Sequence, residues 1–391
     1  MATDEGLQKT PIQYFCGFSK FFQFETKEDK LLCYHKFKGK SILQNSVSCL
    51  HPIQINNILN GKISKIACVT WSTMFISVRT EANTKEVEIR GWWDGRIVNA
   101  KSMSLPNISM LKATWQRALI ITDNGLCHSL FNDNHHDIKI INDEPEIKFK
   151  TCDIGDLHAV LLDENGKVYS VKEEKKPSKT NDNTSATVEK LKLFPVLLQV
   201  KIDTVSCGKE HVLLLSDDLH RVYSFGLGSR GQLGHGCVDM QTTPLLVEAL
   251  TGITIIQVSA GGWHSVALSD IGDVYTWGWN NHGQLGITCQ PPEVPSAFYT
   301  LPYPVDFCIE CNVDYVACGS MHTVALTTKP RCIWTWGWGE YGQLGHGEKC
   351  DKVTPTKLEY FDQIDGEIVN VMCGPWQTIV TVEIKEEAKT S

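Results

Sequence analysis

The sequence predicts an all-β protein: a seven-bladed β-propeller closed by pairing of its N- and C-terminal strands. Three observations predict it. Two short patterns alternate along the chain, one of them sets a marker residue at seven places, and each chain end holds half of a repeat. Internal repetition of this kind is the mark of propellers and arrays. It overrides the two or three domains that 391 residues would otherwise suggest.

The first pattern is an apolar strand with a small residue, a glycine and a polar marker inside it. It reads Val205-Ser-Cys-Gly-Lys-Glu-His211-Val-Leu-Leu-Leu, then Val258-Ser-Ala-Gly-Gly-Trp-His264-Ser-Val-Ala-Leu. It recurs as Val316-Ala-Cys-Gly-Ser-Met-His322-Thr-Val-Ala-Leu and as Val371-Met-Cys-Gly-Pro-Trp-Gln377-Thr-Ile-Val. Weaker copies begin at Ile66, Leu111 and Ile154. The marker thus falls at 72, 116, 158, 211, 264, 322 and 377, spaced by 42 to 58 residues.

The second pattern follows some 14 residues after the first. Its full copies are Val222-Tyr-Ser-Phe-Gly-Leu-Gly-Ser-Arg-Gly-Gln-Leu-Gly234, Val274-Tyr-Thr-Trp-Gly-Trp-Asn-Asn-His-Gly-Gln-Leu-Gly286 and Ile333-Trp-Thr-Trp-Gly-Trp-Gly-Glu-Tyr-Gly-Gln-Leu-Gly345. Degenerate copies lie at Val87 to Trp92, Leu126 to Leu130 and Val168 to Val171. Two of these follow Asp123-Asn-Gly125 and Glu164-Asn-Gly166, which suit a tight hairpin because Asn and Gly accept positive φ.

The ends complete each other. The last first-type copy has no second-type partner after it, whereas the chain opens on an orphan second-type copy, Gln13-Tyr-Phe-Cys-Gly-Phe18. Pairing them makes the seventh blade and removes the exposed sheet edges of an open array. The propeller is therefore expected over 12–383, with a disordered N-terminus at 1–11 and a tail at 384–391. A polar stretch of mixed charge at 171–192 reads as a disordered loop.

Most of the repeated residues have a structural reading. Gly208, Gly261 and Gly319 in the first pattern, with Gly234, Gly286 and Gly345 in the second, sit where the chain needs positions without a Cβ. Leu233, Leu285 and Leu344 are expected to plug between blades, and Cys207, Cys318 and Cys373 fill a small-residue slot. His158, His211, His264 and His322 stand one per blade, too far apart to act together, and read as hydrogen-bonded structural histidines.

The alternating Cys-Gly-x-x-His and Trp-Gly-x-Asn/Gly-x-x-Gly-Gln-Leu-Gly signatures resemble the regulator-of-chromosome-condensation repeat family. The match is strong over about 200–383 and degenerate back to residue 12. Length, a weak N-terminal half and Trp277-Gly-Trp-Asn280 are most like the small stand-alone members. The resemblance implies a β-propeller that binds partners: small GTPases, histones and DNA, or ubiquitin-system and membrane-traffic proteins. For the small members it implies a link to chromatin through a jumonji-type oxygenase, a histone demethylase. The family's founding member is a guanine-nucleotide exchange factor, working through an inserted β-wedge and charged loop residues. No such wedge can be placed here, and the founder's basic N-terminal tail has no counterpart, since Met1 to Pro11 contains only Lys9 as a base.

Two further motifs have duller readings. Gly226-Leu-Gly-Ser-Arg-Gly231 is formally a dinucleotide fingerprint, but Gly337-Trp-Gly-Glu-Tyr-Gly342 repeats it at the same place in another blade, with no βαβ unit around either. Cys308-Ile-Glu-Cys311 has the spacing of half a zinc site and lacks a second ligand pair nearby. No cofactor, metal or catalytic constellation is expected, and the chain reads as a non-enzyme.

The best binding candidates are aromatic. Trp279 and Trp338 follow the repeat glycine, at a position the fold does not itself prescribe, and Trp93, with Trp92 and Phe18, stands at or beside the same place in other blades. Two readings are open: the rings pack between blades, or they form an aromatic patch on one face. A net charge of -8 argues against direct nucleic-acid binding through bulk electrostatics. No stretch is long and apolar enough to span a membrane, and Met1 to Thr10 is not of signal-peptide type. A monomer of the nucleus or cytoplasm is expected, its 15 cysteines reduced.

Overall fold

The computed structural model describes residues 10–19, 47–54, 62–70, 73–79, 87–93, 96–105, 108–114, 117–131, 138–141, 146–175, 188–287, 297–307 and 311–384. In chain order the strands are β1 (Thr10–Ser19) and β2 (Val47–Gln54), then β3 (Lys62–Thr70), β4 (Thr73–Arg79), β5 (Val87–Trp93) and β6 (Arg96–Leu105). There follow β7 (Ile108–Ala113), β8 (Arg117–Thr122), β9 (Cys127–Phe131) and β10 (Ile138–Ile140), and β11 (Phe149–Ile154), β12 (Ala159–Asp163), β13 (Val168–Lys175) and β14 (Val188–Pro195). The repeat-rich half holds β15 (Thr204–Cys207), β16 (His211–Ser216), β17 (Arg221–Gly226) and β18 (Gln241–Leu246), then β19 (Ile255–Ala260), β20 (His264–Ser269), β21 (Val274–Trp279) and β22 (Phe298–Pro304). The last are β23 (Val313–Cys318), β24 (His322–Thr327), β25 (Ile333–Gly337), β26 (Lys352–Lys357), β27 (Glu367–Gly374) and β28 (Gln377–Ile384).

These strands form four-stranded antiparallel sheets, seven among the described residues, in six of which the strands pair in chain order. The remaining sheet has the order β2-β1-β28-β27 and joins the two ends of the chain: Gln13 pairs with Thr381 and Gly17 with Gln377. The first strand of each sheet lies against the first strand of the next, from β3 through β7, β11, β15, β19 and β23 to β27, and β27 lies against β3.

Burial follows from this stacking. The second strands β16, β20 and β24 are buried at all six positions, because both of their faces meet a neighbouring sheet. Alternation sends Val212 and Leu214 to the core shared with Val160 and Leu162, and Leu213 and Leu215 to the core shared with Val258 and Trp277. The outermost strand β18 keeps no buried residue and carries Pro244, which cannot donate to another strand. The innermost strands are stitched by side chains: Asp153 accepts from Cys207 N at 2.7 Å, Ser206 Oγ from Ala260 N at 3.0 Å, and Ser259 Oγ from Cys318 N at 3.1 Å.

Three expectations need correction. The first pattern is two strands and not one: β15 ends at Cys207, and Gly208 N donates to His211 O at 2.9 Å across a tight turn before β16. The stretch 171–192 is ordered at both ends, where β13 and β14 pair from Val171 with Leu193 to Lys175 with Val188. Val171 and Leu191 are buried, so the polar composition hid a two-residue alternation; 176–187 lie outside the described residues. The end strands also run slightly further than expected, Thr10 pairing with Ile384. No helix among the described residues is long and apolar enough to cross a membrane.

Candidate functional site

The second pattern places its residues by a backbone device. Gly278 has φ +100°, and a Cβ there would lie 2.6 Å from the carbonyl oxygen of Trp263. Only glycine lets β21 approach so closely while turning through the left-handed region. The next amide, Trp279 N, then donates to Trp263 O at 2.8 Å. Leu227 N to Glu210 O and Trp338 N to Met321 O repeat the bond at 2.8 Å. The residue after the repeat glycine is thereby fixed beside the residue before the histidine.

A second device aims the following turn. Gln232, Gln284 and Gln343 are fully buried, and the Oε1 of each accepts from the backbone N two residues earlier: Arg230 at 2.8 Å, His282 at 3.0 Å and Tyr341 at 3.0 Å. Those three side chains lean across the seam onto the next sheet. The Arg230 guanidinium lies 4.6 Å from the Trp263 ring centroid and 5.5 Å from that of Trp279. His282 lies 5.4 Å from Trp338 and 6.1 Å from Trp279. Tyr341 stacks on Trp376 at 5.3 Å and meets Trp338 edge-on at 5.0 Å.

The result is a continuous strip across three seams: Arg230, Trp263, Trp279, His282, Trp338, Tyr341 and Trp376. Trp263 and Trp279 meet edge to face at 5.4 Å, and so do Trp338 and Trp376 at 5.9 Å. All four tryptophans are half-buried. Trp277 and Trp336, two residues before Trp279 and Trp338, are instead fully buried, and their Nε1–H groups donate to Gln232 O at 2.9 Å and Gln284 O at 3.0 Å. Residues two apart would share a face of a regular strand, but the left-handed Gly278 and Gly337 between them turn the chain, so Trp277 and Trp336 stay in the core while Trp279 and Trp338 are only half-buried.

Charge is distributed unevenly along the strip. Lys209 Nζ sits 4.5 Å over the Trp263 ring, and Arg230 is held by Glu210 at 3.6 Å. Asp351 Oδ2 lies 2.8 Å from His282 Nδ1, while its Oδ1 accepts from Gly339 N at 2.9 Å. At the far end Glu340 is exposed; burial, with the Glu340 charge beside it, raises the Tyr341 hydroxyl above its ordinary pKa.

Of the residues singled out from sequence, Trp279 and Trp338 come together on this strip, with His282 between them. Trp93 ends β5, its backbone paired with Arg96, and its side chain lies outside the described residues, as do those of Trp92 and Phe18. His211, His264 and His322 lie fully buried in the interior, each bonded to a hydroxyl of the next sheet: Ser265 at 2.9 Å, Thr323 at 3.0 Å and Thr378 at 3.1 Å. His158 is half-buried, against the Phe225 ring at 5.5 Å.

The glycines divide into two kinds. A Cβ on Gly208, Gly261 or Gly319 would fall 2.0 to 2.3 Å from the imidazole Cε1 of its own sheet's histidine. Gly234, Gly286 and Gly345 close the turn at positive φ. Leu233, Leu285 and Leu344 are buried.

Sequence reasoning missed Trp263, Trp376, Arg230, His282 and Tyr341. A signal was present: two positions vary among otherwise constant neighbours, the one before Gly-Gln-Leu-Gly filling with Arg230, His282 and Tyr341 and the one before the marker with Trp263 and Trp376 in two of its four strong copies. Of the zinc-spaced pair, Cys308 lies outside the described residues, and no group of three or more His, Cys, Asp or Glu side chains able to hold a metal occurs among those described. What this surface offers is large amphipathic rings and paired charges, the chemistry of recognition.

Comparison with known proteins agrees with the repeat pattern. Residues 94–380 match the family described as RCC1-like domain. The chain is 37% identical over 216 residues to RCC1 domain-containing protein 1 of Mus musculus, and 36% identical over 218 residues to that of Homo sapiens. Each match covers 48% of this chain and 57% of the relative, so the chain spans little more than half the length of these relatives. Among solved structures, Prp20p of Saccharomyces cerevisiae, reported with its binding properties to Gsp1p and histones, superposes with a TM-score of 0.71 at 17% identity, over 97% of this chain and 93% of that one. At that identity the likeness concerns the fold alone.

Proposed function

Since the chain belongs to the family of RCC1-like domains, we propose that it is a protein-interaction platform: a single closed seven-bladed β-propeller that engages a partner through Trp279, Trp338 and the rings between and beside them. The pairing of β1 with β28 and the run of neighbouring inner strands from β3 back to β27 support the closed ring. The observation that carries the binding reading is the strip itself. Four tryptophans are half-buried in one run of ring contacts, and three of them, Trp263, Trp279 and Trp338, sit on backbone positions fixed by a repeated hydrogen bond. Trp is enriched where binding energy concentrates, because a rigid ring buries much area at little entropic cost. Family likeness adds chromatin association, in company with a jumonji-type oxygenase, and a place in the nucleus or cytoplasm. The function is binding and not catalysis.

The test is affinity capture with the full chain and with the Trp279→Ala/Trp338→Ala double variant, both checked for an unchanged fold. A partner bound by the wild type and lost with the double variant is expected. Equal capture by both would overturn the assignment to this strip.

A second reading, guanine-nucleotide exchange on a small GTPase, is favoured by the fold shared with Prp20p and that protein's reported binding to Gsp1p. Nucleotide release from a panel of small GTPases tests it. Acceleration of release by this chain would replace the platform reading with the exchange reading.

A further inference from the structure

We propose, resting on the platform reading above, that the strip takes a basic segment of its partner, an arginine or lysine side chain lying on the Trp338 ring with Glu340 as its counter-charge. The chain contains its own version of this contact. Arg230 crosses a seam to lie over Trp263 and Trp279, at 4.6 Å and 5.5 Å, with Glu210 at 3.6 Å as its carboxylate. A cation over an indole face is attracted by the ring's negative centre, and a nearby carboxylate adds to that attraction.

The charges then decide the sign of the occupant. Arg230 is compensated by Glu210 and His282 is held by Asp351. Glu340 is exposed and makes no ion pair among the described residues. It follows Trp338 by two positions and adjoins Tyr341, close enough for its charge to act on the Tyr341 hydroxyl. The uncompensated charge at the Trp338 end is therefore negative, on a chain of net charge -8. An acidic segment laid there would meet a carboxylate and the negative faces of indole rings, so it is disfavoured twice. A basic segment meets both favourably.

Fluorescence anisotropy on the full chain tests this with three labelled peptides, repeats of Gly-Ser-Arg, Gly-Ser-Glu and Gly-Ser-Asn. The arginine peptide is expected to bind and the other two not. Trp338→Ala and Glu340→Gln should each weaken binding by about 2- to 5-fold, the size of an exposed cation–π or charge contact. Glu340→Arg should abolish it while leaving the thermal unfolding midpoint unchanged, because that side chain is exposed.

Tight binding of the glutamate peptide, or indifference of the arginine peptide to Glu340→Arg, overturns the proposal. A captured partner that is lost with the tryptophan double variant but kept by Glu340→Arg leaves the platform standing and removes the basic occupant. A partner kept by the double variant removes both. If sedimentation shows wild-type dimers that the double variant dissolves, the occupant is a second copy of this chain, and the basic-segment proposal falls.

Discussion

The Nε2 of His264 lies 3.0 Å from the Oγ1 of Thr323, 59 residues further on and in the next sheet. The Thr323 hydroxyl donates its single proton to Gln284 O at 2.8 Å, so its lone pair faces the imidazole and Nε2 carries the ring proton. His211 with Ser265 and Gln232, and His322 with Thr378 and Gln343, repeat the relay. Each repeat histidine is thus a neutral donor that joins one sheet to the next, and its bare Nδ1 is pressed against the glycine of its own sheet.

Removing the acceptor should therefore cost more than one ordinary hydrogen bond. In Thr323→Val the shape is kept while the His264 Nε2–H is left buried and unsatisfied; Gln284 O retains its bond from Trp336. The expected loss is about 1–3 kcal/mol. Thr323→Ser, which keeps the hydroxyl, should recover most of it. Urea unfolding of both variants checks this, and equal stability of Val and Ser would show that the relay carries no weight.

The same relay predicts acid sensitivity. Burial pushes His211 and His264 down to about 3 and His322 to about 4, from an ordinary value of 6.5, with the neighbouring histidines adding to the effect for His211 and His264. A second proton would have to sit on Nδ1, which has no acceptor among the described residues. The folded pKa lies below the unfolded one, so the unfolded chain binds more protons through this window. Stability is full above pH 6.5 and falls as pH drops toward 4, by up to about 1.4 kcal/mol per pH unit for each histidine. Denaturation midpoints from pH 7 to pH 4.5 should show the decline, and His322→Gln, the residue found at the equivalent Gln377, should make it shallower by the share of one of the three histidines.

Neighbouring tryptophans should behave oppositely. Trp277 is fully buried and bonded to Gln232, so Trp277→Ala should cost about 3–5 kcal/mol through the cavity it leaves. Trp279 is half-buried and makes ring contacts with Trp263 and His282, worth about 0.5–1.5 kcal/mol each, and Trp279→Ala should lose no more than one or two of these. Thermal melts of the two variants decide between a core role and a surface role for Trp279. If Trp279→Ala melts as low as Trp277→Ala, the ring belongs to the core and the strip is not a binding surface.

Much of this frame was legible in the chain, because a repeat writes its geometry several times. Gly278, Gly337 and Gly226 occupy one position in three copies, and so do Gln232, Gln284 and Gln343. The strip was only half legible. Trp279 and Trp338 stand out within one pattern, but Trp263 and Trp376 come from the other pattern, and His282 meets Trp338 from the preceding sheet. Strand pairing within a sheet brings Trp263 to Trp279, and the stacking of sheets brings His282 to Trp338; linear spacing encodes neither. The hairpin of β13 and β14 was obscured for a different reason. Lys172, Glu173 and Glu174 dominate the composition, while the alternation that decides pairing rests on Val171, Leu191 and Leu193.

The N-terminal strand offers the last test. Cys16 stands where the other copies have Trp277 and Trp336, and like them it points at a buried glutamine carbonyl. Its thiol lies 3.7 Å from Gln343 O and 3.6 Å from Thr378 O. Its sulfur also sits 3.3 Å from where a Cβ on Gly345 would be, as the indoles of Trp277 and Trp336 adjoin Gly234 and Gly286. Burial pushes this thiol up to about 12, so it is both shielded and protonated. Under native conditions at pH 8, an alkylating reagent should modify exposed Cys350 readily and leave Cys16 intact. Cys16 should become reactive only at the denaturant concentration that unfolds the whole chain, because β1 completes a sheet with β27 and β28. Peptide-resolved mass spectrometry reads both sites in one sample. Labelling of Cys16 well before global unfolding would mean that β1 detaches on its own, and the ring would not be closed by its ends.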